Sequence, residues 1–175
     1  MNGHKAAIGE KLRDFILGAQ DGIVNVLGLV LGVASATFDT KIVLISGLAG
    51  LFAESISMGA VAFTSSKAAR DYYRKTKEKG EAALYKDPFS IGLFVFFTTI
   101  FGSIIPLIMF FLMPVKQGII ASVILSGIVL FIIGAVKGKM TMGHPVKAGF
   151  EMLMIGLLAA IVGYVIGTLL GVVIH

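Results

Sequence analysis

The chain has no cysteine and no tryptophan among its 175 residues, and only 14% of its residues are charged. Without cysteine, the protein cannot form a disulfide, an iron–sulfur cluster or a thiolate zinc site. The three histidines (His4, His144 and His175) do not form a pair at metal-binding spacing, so a histidine metal cage is not expected. Soluble domains carry about 25% charged residues, so the low charge indicates a membrane protein.

The sequence also lacks the residue patterns that most enzymes need. No nucleophile, base and orienting group follow one another in recognisable order, and no glycine loop for phosphate or ATP is present. We therefore expect no enzymatic activity and no bound cofactor. The net charge of +5 does not predict nucleic-acid binding, because membrane proteins use basic loops to set their orientation.

Apolar residues are abundant and make up 57% of the chain. They form five runs that are long enough to cross a bilayer, which takes about 20 residues in a helix. We predict an all-α integral membrane protein with a single transmembrane domain over residues 1–175. Its five transmembrane helices are expected at about 15–36, 42–64, 89–113, 117–136 and 149–173.

The basic residues are distributed unevenly between the two sides of the predicted bundle. Of the 15 lysines and arginines, only Lys41 and Lys116 fall on one side. Positive residues mark the cytoplasmic side of a membrane protein. The N-terminus is therefore predicted to be cytoplasmic, and five spans place the C-terminus outside.

The stretch 66–87 is the one sizeable loop that the sequence predicts, and it is basic and cytoplasmic. Pairs such as Lys67 and Asp71 are spaced i,i+4, so the second helix is expected to continue into the cytoplasm until Gly80 breaks it. Such a charge run is typical of a solvated face or of a contact with anionic lipid, and metal binding is the less favoured alternative. The loop's acidic residues are Glu78, Glu81 and Asp87.

Two of the five apolar runs contain a carboxylate, Asp21 in the first and Glu54 in the second. A charged side chain at the centre of a bilayer costs about 2.5–3.5 kcal/mol on insertion scales, so both are candidate functional residues. Asn25 follows Asp21 by four residues and Met58 follows Glu54 by four, so each pair shares a helix face. The helical rise places Asp21 level with Met58, and Asn25 level with Glu54.

These four side chains predict a site for a divalent transition metal, because they offer oxygen donors and one soft sulfur donor. A carboxylate away from water binds protons more readily, and a nearby cation displaces them. Asp21 and Glu54 are therefore also the expected proton-coupling residues. The alternative is that each carboxylate satisfies only a local hydrogen bond, and that Met58 fills a gap in apolar packing.

Glycines recur at the spacing that lets membrane helices approach closely. On the first helix, Gly18 and Gly22 form one such pair, and Gly28 and Gly32 form another. These pairs predict either a seam between two copies of the chain or packing within one copy. For the row on the fifth helix, packing within the chain is favoured. That row consists of Gly163, Gly167 and Gly171.

A carboxylate outside the two helices, Glu151, stands at the predicted start of the fifth helix. The N-terminus of a helix favours a negative charge, so a local role is preferred over a role as a metal relay. The chain thus offers one Asp, one Glu and one Met at the predicted site, whereas a hard cation takes about six ligands. A homodimer with two-fold symmetry would double the ligands around one axis.

The segments that hold these residues resemble a known family. DGIVNVLGLVLGVASA and GLAGLFAESISMGA resemble the first two helices of the vacuolar iron transporter family, the iron and manganese exporters of plants, yeasts and many prokaryotes. GSIIPLI resembles its third helix, and the stretch from GAVKGKM to GYVIG resembles the end of its fourth helix and its fifth helix. The chain resembles a short member that lacks the cytoplasmic metal-binding insertion of the plant proteins.

The resemblance implies that Asp21 and Met58 are metal-pathway residues and that the protein is a homodimer. It also implies export of Fe²⁺ or Mn²⁺ from the cytoplasm in exchange for protons. The expected membrane is the cytoplasmic membrane in a prokaryote or the vacuolar membrane in a eukaryote. Metal ions, protons, membrane lipids and a second copy are the expected partners. Two other functions stay open, an uncoupled cation channel and a membrane interaction protein that transports nothing.

Overall fold

The computed structural model describes residues 2–76, 87–141 and 143–174, with side chains for residues 9–76, 87–141 and 143–171. These residues form five α-helices and no strand. All five helices are long and apolar enough to cross a membrane, which confirms the predicted class of multi-pass integral membrane protein. The helices are α1 (Asn2–Thr37), α2 (Thr40–Lys75), α3 (Pro88–Leu112), α4 (Val115–Thr141) and α5 (Pro145–Ile174).

Helices α1 and α2 are longer than the membrane-spanning segments that were predicted for them. Each has 36 residues, or about 54 Å of helix, against a hydrocarbon core of about 30 Å. The predicted continuation of α2 past the end of its span at residue 64 is confirmed as far as Lys75. The ion pair found for Asp71 is with its neighbour Arg70, at 3.4 Å. Gly80 lies outside the described residues, as do Glu78 and Glu81.

Short connections with clear helix-start signals separate the helices. Phe38 takes a left-handed conformation, with φ of 50°, and turns the chain between α1 and α2. The carboxylate of Asp39 then accepts hydrogen bonds from the backbone N–H groups of Lys41, at 2.7 Å, and Ile42, at 3.2 Å. Asp87 caps α3 in the same way. These caps satisfy N–H groups that the first turn of a helix leaves unpaired.

Helix α1 lies at the centre of the bundle and packs against all four other helices. Helix α3 packs on α1 and α2, and α5 packs on α1 and α4. The main apolar core surrounds the second half of α1. It includes Val26, Leu27, Val30, Leu31 and Ala34 of α1, with Val43, Leu51, Leu107 and Phe110 from its neighbours.

The glycine pairs of α1 pack against helices of the same chain. A Cβ atom on Gly28 would lie 3.3 Å from the carbonyl oxygen of Ala159, and one on Gly32 would lie 3.2 Å from that of Gly163. Gly22 faces the backbone of α3 at Thr99. Of the two interpretations of this spacing, the structure therefore shows packing within the chain for both pairs. The row of Gly163, Gly167 and Gly171 on α5 also packs against α1, which confirms the predicted packing within the chain.

Candidate metal site

Three of the four predicted ligands meet between α1 and α2. The side-chain amide of Asn25 donates a hydrogen bond to Oε1 of Glu54 at 2.9 Å. The carboxyl group of Asp21 interacts with both Asn25 and Glu54. The hydrogen bond confirms the prediction that Asn25 and Glu54 lie at the same depth.

The short turn between α1 and α2 explains why these residues meet. Asn25 lies 12 residues before the end of α1 at Thr37, which is about 18 Å along the helix. Glu54 lies 14 residues after the start of α2 at Thr40, or about 21 Å. Because the two helices run back along each other from a two-residue connection, similar distances from the turn bring the side chains together.

The arrangement places two carboxylates side by side with one amide. Two like charges at one site repel each other, so such a pair gains from binding a cation or a proton. The side chain of Asn25 donates a hydrogen bond to one oxygen of Glu54, but it does not neutralise the negative charge that the second carboxylate, Asp21, adds. The cluster is therefore suited to an exchange between a metal ion and protons.

Met58 lies one helical turn after Glu54 on the same side of α2, and its side chain is half-buried. That turn corresponds to about 6 Å along the helix axis. The structure thus keeps the thioether on the side of α2 that carries Glu54. Its role as a ligand alongside Asp21 stays a prediction.

The cluster opens to the outside of the α1–α2 pair. Asp21 and Glu54 are half-buried, and Asn25 is exposed. In the part of the chain that the structure describes, no three His, Cys, Asp or Glu residues come together as a metal site.

An open groove of about 720 Å³ begins at Asn25 and follows α1 towards the α1–α2 turn. Helix α5 forms its other wall, and its lining is mostly apolar. The groove includes Leu29, Val33, Ile42, Ile166 and Leu170. The polar cluster thus lies at one end of a long apolar surface that the described residues leave open.

Asp14 of α1 is a buried carboxylate that was not among the residues predicted for the site. The guanidinium of Arg13 donates to Oδ1 of Asp14 at 2.8 and 3.1 Å and also pairs with Glu10 at 2.9 Å. Asp14 precedes Asp21 by seven residues, so both lie on one face of α1. This i,i+7 spacing is a signal that could identify it from sequence, although Asp14 lies just before the predicted span 15–36.

Two further acidic residues lie near the starts of helices. Asp87 accepts a hydrogen bond from the backbone N–H of Ser90 at 3.3 Å and so serves as the cap of α3. Glu151 is exposed in the second turn of α5.

Comparison with known proteins matches the chain to the sequence model of the VIT family over residues 12–90 and 78–168. Vacuolar iron transporter 1 of Arabidopsis thaliana is 27% identical, over 87% of this chain and 83% of the plant protein. Vacuolar iron transporter 1 of Eucalyptus grandis is 27% identical, over 90% and 86%. An uncharacterised protein of Methanocaldococcus jannaschii is 29% identical, over 88% and 87%.

Proposed function

Because the chain belongs to the VIT family and its relatives include vacuolar iron transporters, it is a metal ion transporter, and we propose that it exports Fe²⁺ or Mn²⁺ from the cytoplasm in exchange for protons. The observation that carries this proposal is the cluster of Asp21, Asn25 and Glu54. It lies within the two helices at a depth where charged groups are costly. In a eukaryote the host membrane would be that of the vacuole, and in a prokaryote it would be the cytoplasmic membrane.

The cluster also argues against a purely structural role for the two carboxylates. A structural carboxylate in a membrane bundle pairs with donors or with an opposite charge. Asp21 has Asn25 as a neighbour, but it also has a second carboxylate, Glu54, beside it. A bound Fe²⁺ or Mn²⁺ ion removes this repulsion, and two protons do the same when the metal leaves.

Proton coupling follows from this competition for the same oxygens. Metal ligands must be deprotonated, so metal binding releases protons and proton binding releases the metal. A proton gradient directed towards the cytoplasm would then drive metal outward. Asp21 and Glu54 are the proposed proton carriers, and Met58 is the proposed soft ligand that favours Fe²⁺.

We also propose that the transporter is a homodimer with this cluster at its two-fold axis. Asn25 is exposed and Glu54 is half-buried on the outside of the α1–α2 pair, a surface that in a monomer would face lipid. A second copy would cover these polar groups and double the ligands. The small exposed residues Ala53 and Ser57 of α2 lie beside Glu54 and leave room for a close approach.

Crosslinking tests the dimer. A cysteine at Ser57 should form a disulfide between subunits in membranes, whereas one at Ile124, an exposed residue of α4, should not. Full transport by a single copy held in a nanodisc would contradict the dimer.

Flux measurements in proteoliposomes test the transport mechanism. Uptake of Fe²⁺ and Mn²⁺ is followed with and without a pH gradient, with protein-free liposomes as the control. An antiporter moves metal faster under the gradient and moves protons in return. Metal flux that ignores the pH gradient indicates an uncoupled channel, and no flux of either metal indicates an interaction protein.

Labelling tests the proposed orientation. Cysteines introduced at Lys75 and at Asp39 should react with an impermeant reagent from opposite sides, because Lys75 lies at the end of α2 and Asp39 at its start. Reaction of both from the same side would contradict the proposed direction of every helix.

A further inference from the structure

A second groove lies between α2 and α3. It has a volume of about 400 Å³ and an almost wholly apolar lining. Ile56 and Phe63 form its α2 side, and they point away from the side of α2 that carries Glu54 and Met58. The α3 side consists of Phe89, Leu93 and Phe96.

Two glycines shape this groove. A Cβ atom on Gly59 would lie 3.1 Å from the carbonyl oxygen of Gly92 and 2.9 Å from Cβ of Phe96. The backbones of α2 and α3 are therefore in contact at Gly59 and Gly92. The large side chains on either side of this contact form the walls of the groove. Ile56 is 61% exposed and Phe89 is 68% exposed, so the described part of the chain leaves the groove open.

Three basic residues continue the α2 wall of the groove. Lys67, Arg70 and Arg74 follow Phe63 by four, seven and eleven residues, so all of them lie on the face of α2 that lines the groove. They stand about 6 to 16 Å beyond Phe63 along the helix axis. Arg70 pairs with Asp71, whereas Lys67 and Arg74 are exposed.

We propose that this groove binds an anionic phospholipid, with an acyl chain between the apolar walls and the phosphate headgroup at Lys67 and Arg74. Basic residues beside an apolar gap between membrane helices are typical of such lipid sites. The long side chains of Lys67 and Arg74 can reach back to headgroups at the membrane surface. The charge bias assigns this end of α2 to the cytoplasm, where the leaflet is rich in anionic lipid.

A comparable groove elsewhere in the bundle shows why the charge matters. The gap between α4 and α5 has a volume of about 420 Å³ and is lined by Gly127, Phe131 and Phe150. The residues that follow Phe131 by four and by seven are Ala135 and Gly138, which carry no charge. On the α5 wall one basic residue, Lys147, precedes Phe150 by three residues, so this groove offers a phosphate fewer cations than the groove between α2 and α3 does.

Native mass spectrometry of the full-length protein in neutral detergent tests this site. The protein is titrated with phosphatidylglycerol or phosphatidylcholine, and the dissociation constant of the first bound lipid is measured. The parent protein should prefer phosphatidylglycerol. Lys67→Gln with Arg74→Gln should weaken phosphatidylglycerol binding about thirty-fold, since each cation near the surface contributes about 1 kcal/mol.

Two further variants separate this site from general charge attraction. Lys75→Gln with Lys139→Gln removes the same number of exposed charges elsewhere and should leave phosphatidylglycerol binding unchanged. Ala60→Phe fills the groove without removing a charge and should weaken the binding of both lipids. Thermal unfolding confirms that each variant is folded.

Several results would overturn the proposal. These are equal binding of the two lipids by the parent, an equal loss in the two double variants, and unchanged binding by Ala60→Phe. A cysteine at Ala60 that forms a disulfide between subunits would also overturn it, because a second copy of the chain would then occupy the groove.

Discussion

Helices α1 and α5 share a high glycine content but differ in their position in the bundle. Both are rich in glycine, and they pack against each other where Gly28 meets Ala159 and Gly32 meets Gly163. Helix α1 contacts every other helix, whereas α5 packs on α1 and α4. The outward side of α5 is exposed and apolar, with Leu158, Ile161, Val165 and Leu169 as examples.

The comparison shows that the position of a helix in the bundle, more than its glycine spacing, decides whether it can carry a functional site or instead faces lipid. The carboxylate of α5, Glu151, is exposed near the helix start. On α1, the carboxylate of Asp21 lies against polar residues of its own helix and of α2. Four predictions test this comparison, ordered from the largest expected effect to the smallest.

The first prediction compares the two carboxylates directly. Asp21→Asn keeps the size of the side chain and removes its charge. We expect metal flux in proteoliposomes to fall to the level of protein-free liposomes, because the proposed site then loses one of its two anionic ligands. Glu151→Gln, the matched control on α5, should keep parental flux. Normal flux in Asp21→Asn, with normal folding, would show that Asp21 is structural.

The second prediction compares glycines of the two helices. A Cβ atom on Gly22 of α1 would meet the backbone oxygen of Thr99, whereas one on Gly156 of α5 would meet the flexible end of Leu130. Gly22→Ala should destabilise the fold by about 1–3 kcal/mol, as overpacking does. Each kcal/mol corresponds to about 2–4 °C in the unfolding midpoint of a chain of this size. Gly156→Ala should lower the midpoint less, as measured by thermal unfolding in detergent, and equal losses would contradict the comparison.

The third prediction concerns the thioether of Met58. Met58→Leu conserves volume and removes only the sulfur. Binding of Fe²⁺ or Co²⁺ should weaken by about tenfold, which is the lower end of the loss in affinity that mutations around metal sites cause. The loss for Mn²⁺ should be smaller, because Mn²⁺ prefers oxygen ligands. The measurement is calorimetry at fixed pH, with Met154→Leu on the exposed side of α5 as the control. Equal Co²⁺ affinity in Met58→Leu and the parent would leave Met58 as a packing residue.

The fourth prediction concerns the hydrogen bond between the helices. Asn25→Ala removes the donor to Glu54. Metal affinity should fall about fivefold, because a typical hydrogen bond contributes about 1 kcal/mol and Glu54 loses its orientation. Asn25→Asp distinguishes orientation from charge, since it cannot donate but adds an anionic oxygen. The orientation role is refuted if Asn25→Ala binds Fe²⁺ as tightly as the parent does.

Much of the fold and part of the candidate site could be predicted from local features. The five helices follow from the lengths of the apolar runs, and the turn at Phe38 and Asp39 follows from the polar break between two of them. The equal depth of Asn25 and Glu54 follows from a constant helical rise on either side of that turn. Such predictions succeed because they need only the spacing of residues along one or two adjacent helices.

Other features could not be predicted because they depend on how the helices rotate against one another. The spacing of Gly18 and Gly22 allowed either a seam between subunits or packing within the chain, and the packing of α3 against α1 decided it. The burial of Asp14 beside Arg13 depends in the same way on the helices around it.

The sequence by itself determined that this protein crosses a membrane five times and carries two carboxylates in its first two spans. A membrane helix must satisfy its own backbone hydrogen bonds and match the bilayer thickness, and both requirements are met by residues that are close in sequence. Only the tertiary structure decided that α1 is central, that Asn25 contacts Glu54, and that an apolar groove lies beside Gly59. These features arise from close contact between helices, which depends on the combined shape of side chains far apart in the chain.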